Sequence, residues 1–327
     1  MRTDSDARIG MHVAHEVVAI GRIGVDLYPL QAGVPLSEVT SFARFLGGSS
    51  TNVAVGAARL GHSSALISKV GVDGFGDFAE RALRGYGVST RWLGRHASLR
   101  TPLAFAELFA PDHFPLTFYR DPSAPDMHLT PADIDELLIA EAGLVWISGG
   151  SFATEPSRQA VEAALVIRGD QVTIFDLDYR PSMWRDPGEA TAALLPVLDK
   201  VAIVIGNEQE FAVATGRDNF TDAVTAVLDR GAELVILKRG PLGVLARAAS
   251  GEEVQVDAFD IEVLCGLGAG DAFGAAVCHG LLNRWPVPRT IEFANAAGAI
   301  VASRLACSDA MPTADEVDIF LAERVGA

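Results

Sequence analysis

The sequence predicts an α/β protein with a largely parallel sheet covered by helices on both faces and a small β lid. Three observations carry this. From Ala142 onward, short apolar runs alternate with segments of helical periodicity, as in βαβ units. Polar or glycine residues recur just past those runs, where open α/β sheets place their ligands. Between Arg95 and Asp121 the pattern changes to the two-residue period of strands around a turn, outside the βαβ series.

In chain order, residues 16–21, with Val17, Val18 and Ile20, read as a first buried strand ending at glycine. Asp26 then falls just past that strand's end, as a turn former or as a ligand contact. Residues 46–61 combine Gly47-Gly48, hydroxyl residues suited to capping, and a small-residue helix ending at Gly61. Asn52 lies in its first turn, as an exposed amide or as a group reaching a ligand over the glycines. Residues 65–70 read as a strand, 70–77 as a loop and 78–86 as a helix stopped at Gly87. The hairpin read in 95–121, turning near residues 111–114, joins residues 41–46 in a small sheet that serves as a lid or an interface. Lid strands are thus expected from about 22–46 and 97–121, and Arg120 at the hairpin's end suits a carboxylate or phosphate.

The second half reads as strand 144–148, helix 156–167, strand 172–176, helix 189–198, strand 201–205, a helix from Glu208 and strand 234–237. Asp176, Asp178 and Arg180 follow one strand, Asn207 and Glu210 the next, and Lys238 and Gly240 the last. In a parallel sheet all of these lie along one edge. Each has an ordinary alternative: Asn207 as an N-cap, Glu210 as a first-turn dipole partner, Lys238 and Arg239 as a solvated basic pair, and Arg180 as a partner of Asp176 or Asp178.

Residues 260–282 carry the chemistry. They read as a strand ending at Leu264, a turn with Gly266, Gly268 and Gly270, and a helix opened by Asp271, with Phe273, Val277 and Leu281 on one stripe. Glycines and a helix N-terminus make an anion cradle. A carboxylate there would repel phosphate unless it takes a proton from an attacking hydroxyl, and beside a helix N-terminus Asp271 is expected to stay ionised.

The chain has 327 residues, 49% of them hydrophobic, enough for one large domain, and we read it as a single domain over 1–327 with residues 1–15 as a disordered leader. A net charge of −16 argues against nucleic-acid partners, and an acidic protein that binds phosphate must gather its positive groups locally. Three cysteines without metal-type spacing point to a reducing cytoplasm. No apolar run approaches the length of a membrane span. The P-loop pattern is absent, and G-L-G-A-G-D has aspartate where the dinucleotide fingerprint needs its last glycine.

The motifs G-G-S-S-T-N-V-A at residues 47–54, N-x-x-E at 207–210 and G-A-G-D-A-F at 268–273 resemble those of the ribokinase-like (PfkB) carbohydrate kinases, and the likeness runs from Val17 to about Val317. Further stretches, P-L-A-F-A-E from Pro102, F-Y-R at Arg120, F-D-L-D-Y-R-P-x-x-W from Phe175 and S-D-A-M-P-T from Ser308, are similar to the sugar-acid kinases of that family. The resemblance implies a ribokinase-like three-layer sandwich and ATP-dependent phosphorylation of a primary hydroxyl of a small sugar acid, with 2-keto-3-deoxygluconate, or other sugars of the family such as fructose or ribose, as alternatives. It implies Asp271 as catalytic base and Gly268, Ala269 and Gly270 as the anion hole. Asp26, Gly47, Gly48 and Asn52 become sugar contacts, with Arg120 and Arg180 on the acid group. Asn207 and Glu210 fall in the phosphate and Mg²⁺ region, with Glu210 toward the metal, Lys238, Gly240 and Gly243 along ATP, and Asn295 near adenine. Cys265 and Gly266 stand where many members carry Asp-Thr, which leaves a monovalent-cation site in doubt. The alternating apolar residues Leu103, Phe105 and Phe118 suggest a homodimer through the lid. A non-catalytic sugar or nucleotide binder on the same fold is the reading of a different class.

Overall fold

The computed structural model describes residues 14–325, so all but the end of the expected leader lies outside the described residues. In chain order the strands are β1 (Val17–Ile20), β2 (Gly24–Pro29), β3 (Phe42–Gly47), β4 (Ser64–Gly71), β5 (Leu93–His96), β6 (Leu103–Ala106), β7 (Leu116–Tyr119), β8 (Leu144–Ser148), β9 (Thr173–Asp176), β10 (Ile203–Gly206), β11 (Leu234–Lys238), β12 (Val244–Ala248) and β13 (Glu253–Val256). The helices are α1 (Ser49–Arg59), α2 (Gly74–Gly85), α3 (Glu136–Glu141), α4 (Ser157–Arg168), α5 (Pro187–Leu194), α6 (Glu208–Thr215), α7 (Phe220–Leu228), α8 (Ala269–Leu282), α9 (Val287–Ala302) and α10 (Ala314–Val325).

The main sheet runs β13-β12-β11-β10-β9-β8-β1-β4-β5, parallel except for β12 and β13 at one edge. Its central strands β1 and β8 are buried at every position because both faces are covered. Alternate residues divide between two cores. Val17, Ala19, Leu66 and Trp146 pack with α1, α2, α8, α9 and α10, whereas Val18, Ile20, Ile67 and Ile147 pack with α3 to α7. The result is the three-layer α/β/α sandwich expected. Strand order departs from β1 in both directions, so the crevice past its carboxyl end is the natural ligand site.

A second sheet, β3-β2-β6-β7, stands over that edge; the hairpin β6-β7 and β3, which runs one residue further than expected, to Gly47, lie where lid strands were read, whereas β2 was not read as a strand. Its inner face carries Asp26, Tyr28 and Phe118, and its outer face carries an aromatic row of Phe42, Phe105 and Tyr119, with ring centroids 5.3 and 5.2 Å apart along it. Phe118, expected on the same apolar face as Phe105, therefore faces the cleft, because successive side chains of a strand point to opposite sides.

Several boundaries differ from the expected ones. Residues 260–264 form no strand: Leu264 is 49% exposed, and the amides of Leu264 and Cys265 bond to the carbonyl of Ala302 at the end of α9 instead of to a neighbouring strand. The two edge strands β12 and β13 were not read. Helix α2 begins at Gly74, inside the expected loop, because the Asp73 carboxylate caps it by accepting from the amide of Gly76. The helix expected over 189–198 ends at Leu194 and tightens into a 3₁₀ turn containing Pro196.

Candidate active site

An open cleft lies between the carboxyl edge of the main sheet and the inner face of the small one. One wall is the start of α8. Gly268 caps that helix at φ +82°, and a Cβ there would come within 2.8 Å of the Cys307 Cβ, so glycine is required on both counts. The turn leaves the first amides of α8 without intrahelical partners, at the positive end of the helix dipole.

Asp271, in the first turn of α8, lines the cleft, and its Oδ2 accepts a 2.7 Å hydrogen bond from Asn52 Nδ2. Asn52 Oδ1 in turn accepts from the Ser308 hydroxyl at 2.7 Å. Asn52 thus lines the cleft as expected and in addition fixes the orientation of Asp271. The expectation that Asp271 stays ionised is corrected. Burial raises its pKa to about 7, the nearby Asp178 and Asp176 charges add to the rise, and the bond from Asn52 and the Lys238 ammonium oppose it.

Asp26 lies within β2, not in a turn after β1, and still faces the cleft. Burial raises it to about 7, the Asp271 charge adds to the rise and Arg22 opposes it. A Cβ on Gly47, at the end of β3, would overlap the Asp26 carboxylate, so glycine there makes room for the acid. Gly48, the N-cap of α1, lies in the wall beside it.

Three arginines converge on the cleft. Arg120, just past β7, donates to Asp126 at 2.6 Å, and Asp126 also accepts from the amide of Ile23 at 3.2 Å, which ties two crossings between lid and body together. Arg180 pairs with Asp178 at 2.9 Å, so the pairing left open from the sequence is formed, while its side chain stays 45% exposed and lines the cleft. Arg22, not singled out from the sequence, is buried, lines the cleft and pairs with the other oxygen of Asp178. Burial alone would raise Asp178, but Arg22 and Arg180 hold it below the ordinary range. The one sequence signal for Arg22 is an arginine directly after a buried strand and a glycine. The buried Nε atoms of Arg22 and Arg120 and the Ser49 hydroxyl have no hydrogen-bond partner, as expected of groups that meet a polar ligand or water.

Lys238 ends β11, with Nζ 3.2 Å from Asp176. Burial would lower this ammonium, but Asp176, Glu210 and Asp271 outweigh it and hold it above its usual value. A Cβ on Gly270 would lie 3.4 Å from Nζ, so the lysine sits beside the glycine turn, and the two together fit a polyphosphate. Asn207 and Glu210 realise their ordinary alternatives: each side chain accepts from the other's amide, at 2.9 and 2.8 Å, in a capping box at the start of α6. Glu210 is buried and raised by that burial, with Asp176 and Asp178 close enough to add to the rise. Among the described residues no three His, Cys, Asp or Glu side chains form a metal-binding group. The fit to Mg²⁺ is therefore that of an ion held by one or two carboxylates, with water and substrate phosphate supplying the remaining ligands. Gly240 and Gly243 bracket a 3₁₀ turn after β11, and the Asn295 amide donates to the carbonyl of Asp257 at 2.8 Å, joining α9 to the chain beyond β13.

A glycine turn at a helix start, an aspartate of raised pKa beside it and a cleft lined by three arginines under a β lid fit a small-molecule kinase. The sequence matches the pfkB family carbohydrate kinase model over residues 14–314, and the chain belongs to that family of sugar phosphotransferases. It is 36% identical over 314 residues to 5-dehydro-2-deoxygluconokinase of Geobacillus kaustophilus (strain HTA426), covering 94% of this chain and 93% of the relative. It is 34% identical over 310 residues to the enzyme of the same name from Bacillus subtilis (strain 168), covering 93% and 95%. Among solved structures, an E. coli protein described as a ribokinase II, in complex with ATP and Mg²⁺, superposes with a TM-score of 0.87 at 26% identity, over 94% of this chain and 99% of that one.

Proposed function

We propose that this kinase transfers the γ-phosphoryl group of ATP to a primary hydroxyl of a small sugar acid, 5-dehydro-2-deoxy-D-gluconate being the substrate the relatives favour. The observation that carries the reading is Asp271, held by Asn52 at the start of a helix in a cleft that also gathers three arginines. In this reading Asp271 accepts the proton of the attacking hydroxyl as the O–P bond forms, and a pKa of about 7 matches that task at neutral pH. The amides of Gly268, Ala269 and Gly270 and the Lys238 ammonium stabilise the charge on the transferred group. Mg²⁺, when bound, neutralises charge on the polyphosphate, with Glu210 on its side of the site and Asn207 holding Glu210 in place.

Asp26, Gly47, Gly48 and Asn52 form the sugar side, with Arg120 and Arg180 toward the acid group. Gly240, Gly243 and Asn295 lie along the nucleotide. The chain acts as one kinase unit whose small sheet excludes water during transfer. The outer row of Phe42, Phe105 and Tyr119, with Tyr119 60% exposed, supports pairing of two copies through that sheet. Three buried, unpaired thiols suit a cytoplasmic setting. Among the described residues no helix is long and apolar enough to cross a membrane.

The test is a comparison of kcat/KM with ATP and Mg²⁺ for 5-dehydro-2-deoxygluconate, 2-keto-3-deoxygluconate, fructose and ribose. The first is expected to lead. A preference for either neutral sugar would overturn the sugar-acid reading, and absence of turnover on all four would favour a binding protein.

A further inference from the structure

We propose that Arg22 is the residue that gives the cleft its preference for an anionic substrate. This deepens the sugar-acid reading above and rests on it. Arg120 is neutralised by Asp126, its 2.6 Å partner, whose side chain is 1% exposed and holds the lid crossing at Ile23 as well. Arg120 therefore brings shape and hydrogen bonds to the cleft but little net charge. Asp178 lies between two guanidinium groups, Arg180 on Oδ1 and Arg22 on Oδ2. Around Asp178, one carboxylate faces two arginines, a local surplus of one positive charge that the other acids of the cleft lining, Asp26 and Asp271, offset to the extent that they are ionised.

Without Arg22, Asp178 and Arg180 would form a neutral pair and this end of the cleft would lose its local surplus of positive charge. Burial strengthens the effect, because the side chain of Arg22 is only 9% exposed and water screens its charge poorly. Asp178 also fixes the head group in place, so little side-chain entropy is lost when a ligand engages it. Arg22 brings only hydrogen-bond donors to the cleft it lines. A carboxylate matches such donor-only groups, whereas a sugar hydroxyl wastes its own proton against them.

The experiment compares kcat/KM for 5-dehydro-2-deoxygluconate with that for its primary amide, in wild type, Arg22→Gln, Arg22→Lys, Asp178→Asn and the double variant Arg22→Gln/Asp178→Asn. Thermal melting of each checks the fold. The acid-to-amide ratio is expected to fall roughly 30-fold or more in Arg22→Gln and to survive largely in Arg22→Lys. It should rise in Asp178→Asn, where two charges are left over, and recover in the double variant, where Arg180 is freed of its partner. A purely structural role would lower acid and amide together and leave the ratio unchanged, which overturns the proposal. A ratio that falls in Arg22→Gln and stays low in a folded double variant overturns it as well. If Arg22→Gln does not fold, the lysine and Asp178→Asn ratios decide, and a ratio that does not rise in Asp178→Asn counts against the charge argument. A wild-type enzyme that takes acid and amide equally would instead overturn the sugar-acid reading, and this proposal with it.

Discussion

Replacing Asp271 with asparagine tests both the chemistry and the electrostatics of the site. Asparagine fills the same space, and its carbonyl oxygen can still accept the bond from Asn52 that Asp271 accepts at 2.7 Å. It cannot take a proton, so turnover should fall by about 10²–10⁴-fold, with ATP and sugar binding largely kept. The same change should stabilise the ligand-free protein. Burial first, and the charges of Asp178 and Asp176 next, raise the folded-state pKa from 3.8 to about 7. Between those values the folded state holds a proton that the unfolded chain has lost, so ionising Asp271 costs stability increasingly as pH rises through this window, and the cost is complete above about 7. At roughly 1.4 kcal/mol per pH unit, the cost is about 4 kcal/mol at pH 8 and under about 2 kcal/mol at pH 5, as upper values. Urea unfolding of both proteins at pH 5 and pH 8 reads the difference. Asp271→Asn should gain at pH 8 and gain clearly less at pH 5. Near-normal turnover would remove Asp271 from the mechanism, and a stability gain of equal size at both pH values would refute the burial argument.

Because the active form of Asp271 is the deprotonated one, kcat/KM for the wild type should drop on the acid side with an apparent pKa near 7, shared with Asp26, which is raised to about the same value and coupled to it. A profile flat from pH 5.5 to 8.5 would contradict this. Gly47→Ala should raise KM for the sugar at least tenfold while KM for ATP changes little, since a Cβ would displace the Asp26 carboxylate on the sugar side of the cleft; equal effects on both substrates would place the damage elsewhere. Sedimentation should show a dimer at micromolar concentration that Tyr119→Asp weakens, because that side chain ends the outer aromatic row of the small sheet. A monomeric wild type would exclude pairing through this face.

What could be read from the sequence alone was whatever depends on near neighbours in the chain. Unbroken apolar runs such as Val17 to Ile20 marked strands buried on both faces, and they form the centre of the nine-stranded sheet. The glycines before Asp271 marked the start of α8, because a left-handed residue at Gly268 admits few others. Alternation around residues 103–119 marked the lid hairpin. The same logic failed at residues 260–264, where the local pattern suits a strand but no neighbouring strand offers a ladder, and the backbone bonds to the end of α9 instead.

Only the tertiary structure decided how charge is shared out in the site. Asn52 meets Asp271 across 219 residues of chain, and Arg22 meets Asp178 across 156, and no periodicity records such meetings. The sequence pointed to Arg120 and Arg180 by the strands they follow, but whether each is free or neutralised depends on Asp126 and Asp178 lying within reach of it. The protonation of Asp271 turned on the same distinction. Its place at a helix start is local and favours the anion, whereas its desolvation beneath a lid and beside two other acids is not local and raises its pKa.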